Sequence, residues 1–161
     1  MKKALLIGMI LVLGLATVVS AQTDTTIVTL QVTGTRSVSI AETHSVTAVR
    51  GATGTSVAAM TLTYSTDYAS DKITVVGANS SGTETANVAV NIKGGDIGSY
   101  ASGSLFSSGT YQTALTLKTI SGAADALTID DISFELDATA VAAGDIGAAW
   151  EMLVTYTILA Q

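Results

Sequence analysis

Residues 150–158 constrain the fold more than any other stretch. Trp150, Met152, Val154, Tyr156 and Ile158 recur at every second position, with Glu151, Thr155 and Thr157 on the opposite side. An apolar stripe of period two puts one face of a strand on a core and leaves the other in water. A helix would scatter the same residues around its axis. Weaker copies of the pattern run along the chain: Val38 and Ile40; Ala58, Met60, Leu62 and Tyr64; Val88, Val90 and Ile92; Leu115 and Leu117; Ile132, Phe134 and Leu136. Residues 72–76 make a further short strand, and residues 43–49 a weaker candidate. Residues 50–55, 64–71, 77–85, 121–126 and 137–147 read as turns or loops, because Gly, Ser, Asn and Asp concentrate there. Residues 93–109 form the longest irregular stretch, with Tyr100, Leu105 and Phe106 as plugs. No 3.6-residue period lasts three turns beyond residue 21. The expectation is an all-β chain of eight or nine short antiparallel strands in a two-sheet sandwich, with a small barrel as the alternative.

Composition agrees with sheet. Thr, Ser, Ala, Val and Gly dominate, and β-branched residues pack well on a pleated surface. No cysteine is present, so stability must come from the core or from neighbours. No proline is present either, so the edge strands lack one common block against pairing with another chain.

The first 21 residues differ from the rest. Lys2 and Lys3 precede an apolar run from Ala4 to Val19, and Val19-Ser20-Ala21 offers a small-residue cleavage site before Gln22. That layout predicts a secretory signal peptide over residues 1–21 and a single β domain over residues 22–161. An uncleaved membrane anchor is the alternative, with a run near the lower limit of about 17–25 residues for spanning. No later segment is apolar enough to span. The expected location is therefore extracellular or at the cell surface.

The formal net charge is −6, and the leader contains two of the basic residues and none of the acidic ones, so the remainder is more acidic still. Such a surface repels nucleic acid and anionic lipid heads. Only 12% of residues are charged. Low charge with abundant Thr and Ser suits a surface that meets copies of itself or a polysaccharide.

Catalytic constellations are sparse. His44 is the sole histidine and lies in a polar stretch with no Gly-x-Ser-x-Gly elbow in the chain. Asp130, Asp131, Glu135 and Asp137 cluster in sequence, but alternation places Asp131, Glu135 and Asp137 on the solvent face. No cofactor is expected. Calcium is the one candidate ion, with Asp67 and Asp71, or Asp96 and Asp145, as first ligands, although the Asp-x-Asp-x-Asp-Gly loop is absent. Gly95-Asp96-Ile97-Gly98 recurs as Gly144-Asp145-Ile146-Gly147, a pair of similar turns or a duplicated binding loop. Asn79-Ser80-Ser81 matches a glycosylation acceptor.

The stretch from Ile132 through the Ala143-Gly144 turn to Ile158 resembles the end of bacterial fimbrial (pilus) subunits and related surface-associated β-sandwiches. These similarly close on a glycine turn and a long alternating strand. The resemblance implies an Ig-like or pilin-like sandwich and a subunit whose N-terminal extension completes the fold of the next copy. Residues 26–33 are then the donor strand, with Val28, Leu30 and Val32 inserted. The same segment read alone is the first strand of its own domain. The fimbrial disulfide and penultimate aromatic are absent, Tyr156 lying five residues from the end.

Three functions are therefore expected in turn. The first is a non-enzymatic, self-assembling structural subunit of a pilus, fimbria or surface layer, with copies of itself as partner. The second is a secreted carbohydrate-binding or adhesive module using Tyr64, Tyr68, Tyr100 or Tyr111 on surface glycans. The third is a small hydrolase.

Overall fold

The structure is a computed structural model that describes residues 34–40, 45–56, 58–145 and 150–161. The chain divides into two units at Val32/Thr33, and every described residue lies in the second. Ten strands appear among the described residues: β1 Arg36–Ser39, β2 Thr53–Thr55, β3 Met60–Thr66, β4 Ser70–Ser81, β5 Ala89–Lys93, β6 Ser104–Ser107, β7 Thr110–Tyr111, β8 Leu115–Ser121, β9 Ala124–Asp137 and β10 Glu151–Ala160. Two short 3₁₀ turns, Tyr100–Ser102 and Ala143–Asp145, are the only helical elements among them. None is long and apolar enough to cross a membrane.

Every strand pair is antiparallel. Seven strands form one sheet in the order β1-β3-β9-β5-β6-β7, with β2 pairing the end of β9. The other sheet has three strands, β10-β4-β8. The 14-residue β9 joins two halves of the large sheet, pairing β3 through its first part and β5 and β2 through its last.

The core draws on both sheets. Met60, Leu62 and Tyr64 of β3, Ile92 of β5, Leu105 of β6 and Ile129, Ile132 and Phe134 of β9 join Ile73 and Val75 of β4 and Leu117 and Ile120 of β8. Each fully buried Leu or Ile contributes roughly 1.5–3 kcal/mol relative to exposure. A second cluster of Val88, Val90, Phe106, Ala138 and Val141 takes Trp150 and Tyr111 against it. Phe106 meets Tyr111 at 4.9 Å and Trp150 at 6.3 Å between ring centroids, both tilted as aromatic quadrupoles favour.

Several loops expected from composition are strand. Residues 77–85 begin as the continuation of β4 to Ser81, because β10 pairs with β4 from Asp71 as far as Ser81. At Gly77 the Met152 side chain packs over the strand, with its Sδ 2.8 Å from where a Cβ would lie. Residues 50–55 include β2, where Gly54 passes so close to Thr47 that a Cβ would lie 1.8 Å from its carbonyl oxygen. Residues 45–49 form no strand. The irregular stretch 93–109 contains β6, where one extra residue opposite β5 lets consecutive Leu105 and Phe106 both be buried.

Candidate functional site

β10 is one of the two outer strands of the small sheet, β8 being the other. Its partner on one side is β4, from Glu151↔Ser81 to Ala160↔Asp71, and among the described residues no strand pairs with its other side. Met152, Val154, Tyr156 and Ile158 point towards the core cluster yet stay half-buried, as do Val38, Ile40 and Val46 near them. On the opposite face Glu151, Leu153, Thr155 and Thr157 are exposed. An open apolar groove of about 960 Å³ runs beside this edge. Ile40, Val46, Met60, Leu136, Trp150 and Val154 line it, drawn from both sheets and from the connection at residues 45–50.

Tyr156 sits in this row. Its hydroxyl oxygen is buried and has no hydrogen-bond partner among the described residues. Burial pushes its pKa above the usual tyrosine value, since the phenolate would lose its hydration. Tyr111, beside the second cluster, is pushed up to about 12 by burial and by the Glu84 carboxylate that accepts its hydrogen bond at 3.0 Å.

Beyond the groove, β1 is pinned across the sheets. Arg36 donates from Nε and Nη2 to the two oxygens of Asp71 at 2.9 and 2.8 Å. Thr66 donates to the same carboxylate at 2.5 Å, and the Arg36 guanidinium stacks 3.7 Å over the Tyr68 ring. The Asp71 side chain has no exposed surface. The bidentate Arg36 bond holds its carboxyl below the usual aspartate value, Thr66 adds to that, and burial opposes it. Asp71 is therefore a buried strand residue of β4, where the sequence reads as a polar connection.

The carboxylates considered for calcium are engaged separately. Asp67 accepts from the Thr35 amide and hydroxyl at 2.8 and 2.9 Å. Asp96 accepts from the Thr119 amide at 2.7 Å and from Lys118 at 2.9 Å. Asp145 accepts from Asn87 at 3.0 Å. Among the described residues no group of three or more His, Asp or Glu side chains converges as a metal site. Asn79, within the glycosylation-like triplet, donates to Gly82 O and Glu84. The two Gly-Asp-Ile-Gly copies differ where they can be compared. The first is a tight turn with reciprocal Gly94 and Ile97 backbone bonds at its base, whereas Gly144 and Asp145 close a 3₁₀ turn.

Of the residues singled out for assembly, Met152, Val154, Tyr156 and Ile158 lie along one side of β10 and Trp150, just before the strand, packs on the second cluster; all but Ile158 line the groove. Val28, Leu30 and Val32 lie outside the described residues, as does His44.

The acidic stretch of β9 departs from simple alternation. Met60 pairs with Ile132 and Leu62 with Ile129, so two residues, Asp130 and Asp131, oppose the single Thr61. This bulge keeps Ile129 and Ile132 both buried and turns both aspartates outward. Period-two reading separates them, and no sequence signal marks the extra residue. No protein-family model matches the chain, and comparison with curated proteins and with solved structures likewise finds no match.

Proposed function

We propose that the protein is an exported, non-enzymatic structural subunit that self-assembles into a filament or surface layer. In this reading the two sheets form an Ig-like or pilin-like sandwich left open along β10. Residues 26–33 of one copy add as a strand to β10 of the next, and Val28, Leu30 and Val32 enter the groove. The carrying observation is the side of β10 that no strand pairs among the described residues, beside a half-covered apolar row. Unpaired backbone N–H and C=O groups on an edge template another strand, and alternate side chains falling in a groove supply specificity. The edge contains neither proline nor an inward-pointing charge that would discourage pairing. The leader-like first 21 residues support export.

Negative-stain electron microscopy of the protein exported from a host cell tests this. Regular filaments or sheets are expected, and deleting residues 22–33 should leave folded, dispersed particles. A wild-type protein that stays monomeric under all conditions, with no layer on cells, refutes it.

A further inference from the structure

The Asp130–Asp131 bulge opens onto a second, separate cleft of about 590 Å³, within the range of small-ligand sites. Its walls are fixed. Gly94 and Ile97 bond each other's carbonyls at 2.9 and 3.0 Å, and the Asp96 amide is tied to Leu117 O at 2.7 Å. The Gly95 amide donates to Asp131 Oδ1 at 2.9 Å. Tyr100 stands on the 3₁₀ turn with its hydroxyl donating to Ser133 Oγ at 3.0 Å and Lys93 Nζ 5.0 Å from its ring centroid. Ser133 is only 8% exposed, an unusual depth for a serine side chain.

The free hydrogen-bonding capacity of this cleft is mixed. Asp130, which has no side-chain partner among the described residues, and the second oxygen of Asp131 accept; the Lys93 ammonium and the Ser133 hydroxyl donate. The half-exposed Tyr100 ring adds a flat apolar contact. Acceptors and donors set close together beside an aromatic ring match a sugar, whose hydroxyls each donate and accept and whose ring carries C–H groups. Two carboxylates against one ammonium leave the cleft negative, which disfavours uronates, phosphates and sulfates. We propose that this cleft binds a neutral saccharide unit, with Asp130 and Asp131 accepting from neighbouring hydroxyls, Lys93 and Ser133 donating, and Tyr100 covering the ring. The proposal is independent of assembly through β10, which lies on other residues.

The test is amide NMR of the folded protein titrated with methyl glycosides of glucose, galactose, mannose and N-acetylglucosamine, with sodium glucuronate and calcium chloride as separate arms. At least one neutral glycoside should shift the Gly95, Asp131 and Ser133 amides, with millimolar affinity. Asp130→Asn and Asp131→Asn should each weaken it by about tenfold, the loss of a charge-assisted hydrogen bond. Asp125→Asn, elsewhere on β9, should bind as wild type. Unfolding midpoints of all variants establish that they fold. Silence from every neutral glycoside, equal binding of glucuronate, a response to calcium alone, or unchanged binding by the folded Asp130→Asn protein would each overturn the proposal.

Discussion

Replacing Tyr156 by Phe should stabilise the protein, the opposite of the usual effect of trimming a half-buried side chain. The tyrosine ring packs against the core row, while its hydroxyl oxygen is buried with no partner among the described residues. A buried hydroxyl without a hydrogen bond costs about 1–3 kcal/mol, and phenylalanine retains the ring contacts while removing that cost. A gain of about 1 kcal/mol is expected, since some relaxation offsets the full value. For a unit of this size that raises the thermal midpoint by roughly 3–5 °C. Urea unfolding followed by tryptophan fluorescence measures it, with an unchanged slope to show that the unfolded state is unaltered. A second signature follows from the raised pKa. Above about pH 10 the unfolded chain loses the tyrosine proton while the folded protein retains it, so stability falls as pH rises further. That alkaline loss should shrink in Tyr156→Phe. If the variant is instead less stable by about 1 kcal/mol, the hydroxyl has a hydrogen-bond partner and the reasoning fails. If strand addition supplies the partner, the variant should also assemble more weakly while its isolated form is more stable.

Asp71→Asn should lower the urea midpoint and loosen β1, because the Arg36 guanidinium would face a neutral group in a site with no exposed carboxylate surface. The depressed Asp71 pKa gives stability that is present above the unfolded aspartate value of about 3.9 and lost as pH falls below it, so acid unfolding should be shallower in the variant. Ala126→Gly should raise stability by about 0.5–1 kcal/mol in the same urea assay. Ala126 sits at φ 48° in the second bulge of β9, a conformation glycine adopts without strain. Gly54→Ala should cost about 1–3 kcal/mol, since the added methyl meets the Thr47 carbonyl and β2 must move. Hydrogen exchange at Thr53 and Thr55 should quicken with it.

Where a strand is covered on one face, the sequence is a good guide. The apolar rows of β3, β5 and β10 read directly, because burial on one side imposes period two. The pattern fails where a partner strand, not side-chain chemistry, keeps the chain extended. The polar end of β4 is strand only because β10 continues beside it. It also fails at bulges, which shift the period by one residue at Asp130–Asp131 and at Leu105. The same limit governs the sites. The inward row of β10 is visible in composition, but its position at a sheet edge depends on strand order, which periodicity does not encode. The cleft beside Tyr100 rests on a bulge and on a turn that meets β8 from a distant point in the chain.

The small sheet also sets a timetable. Its middle strand, β4, finds its longest partner about eighty residues downstream in β10, and β3 waits almost as long for β9. Closing such loops before any contact is gained makes folding slow, so the barrier is dominated by chain search. The pairing of β4 with β10 can form only once residues 151–160 are available. Late closure of this kind predicts that refolding from urea takes milliseconds to seconds.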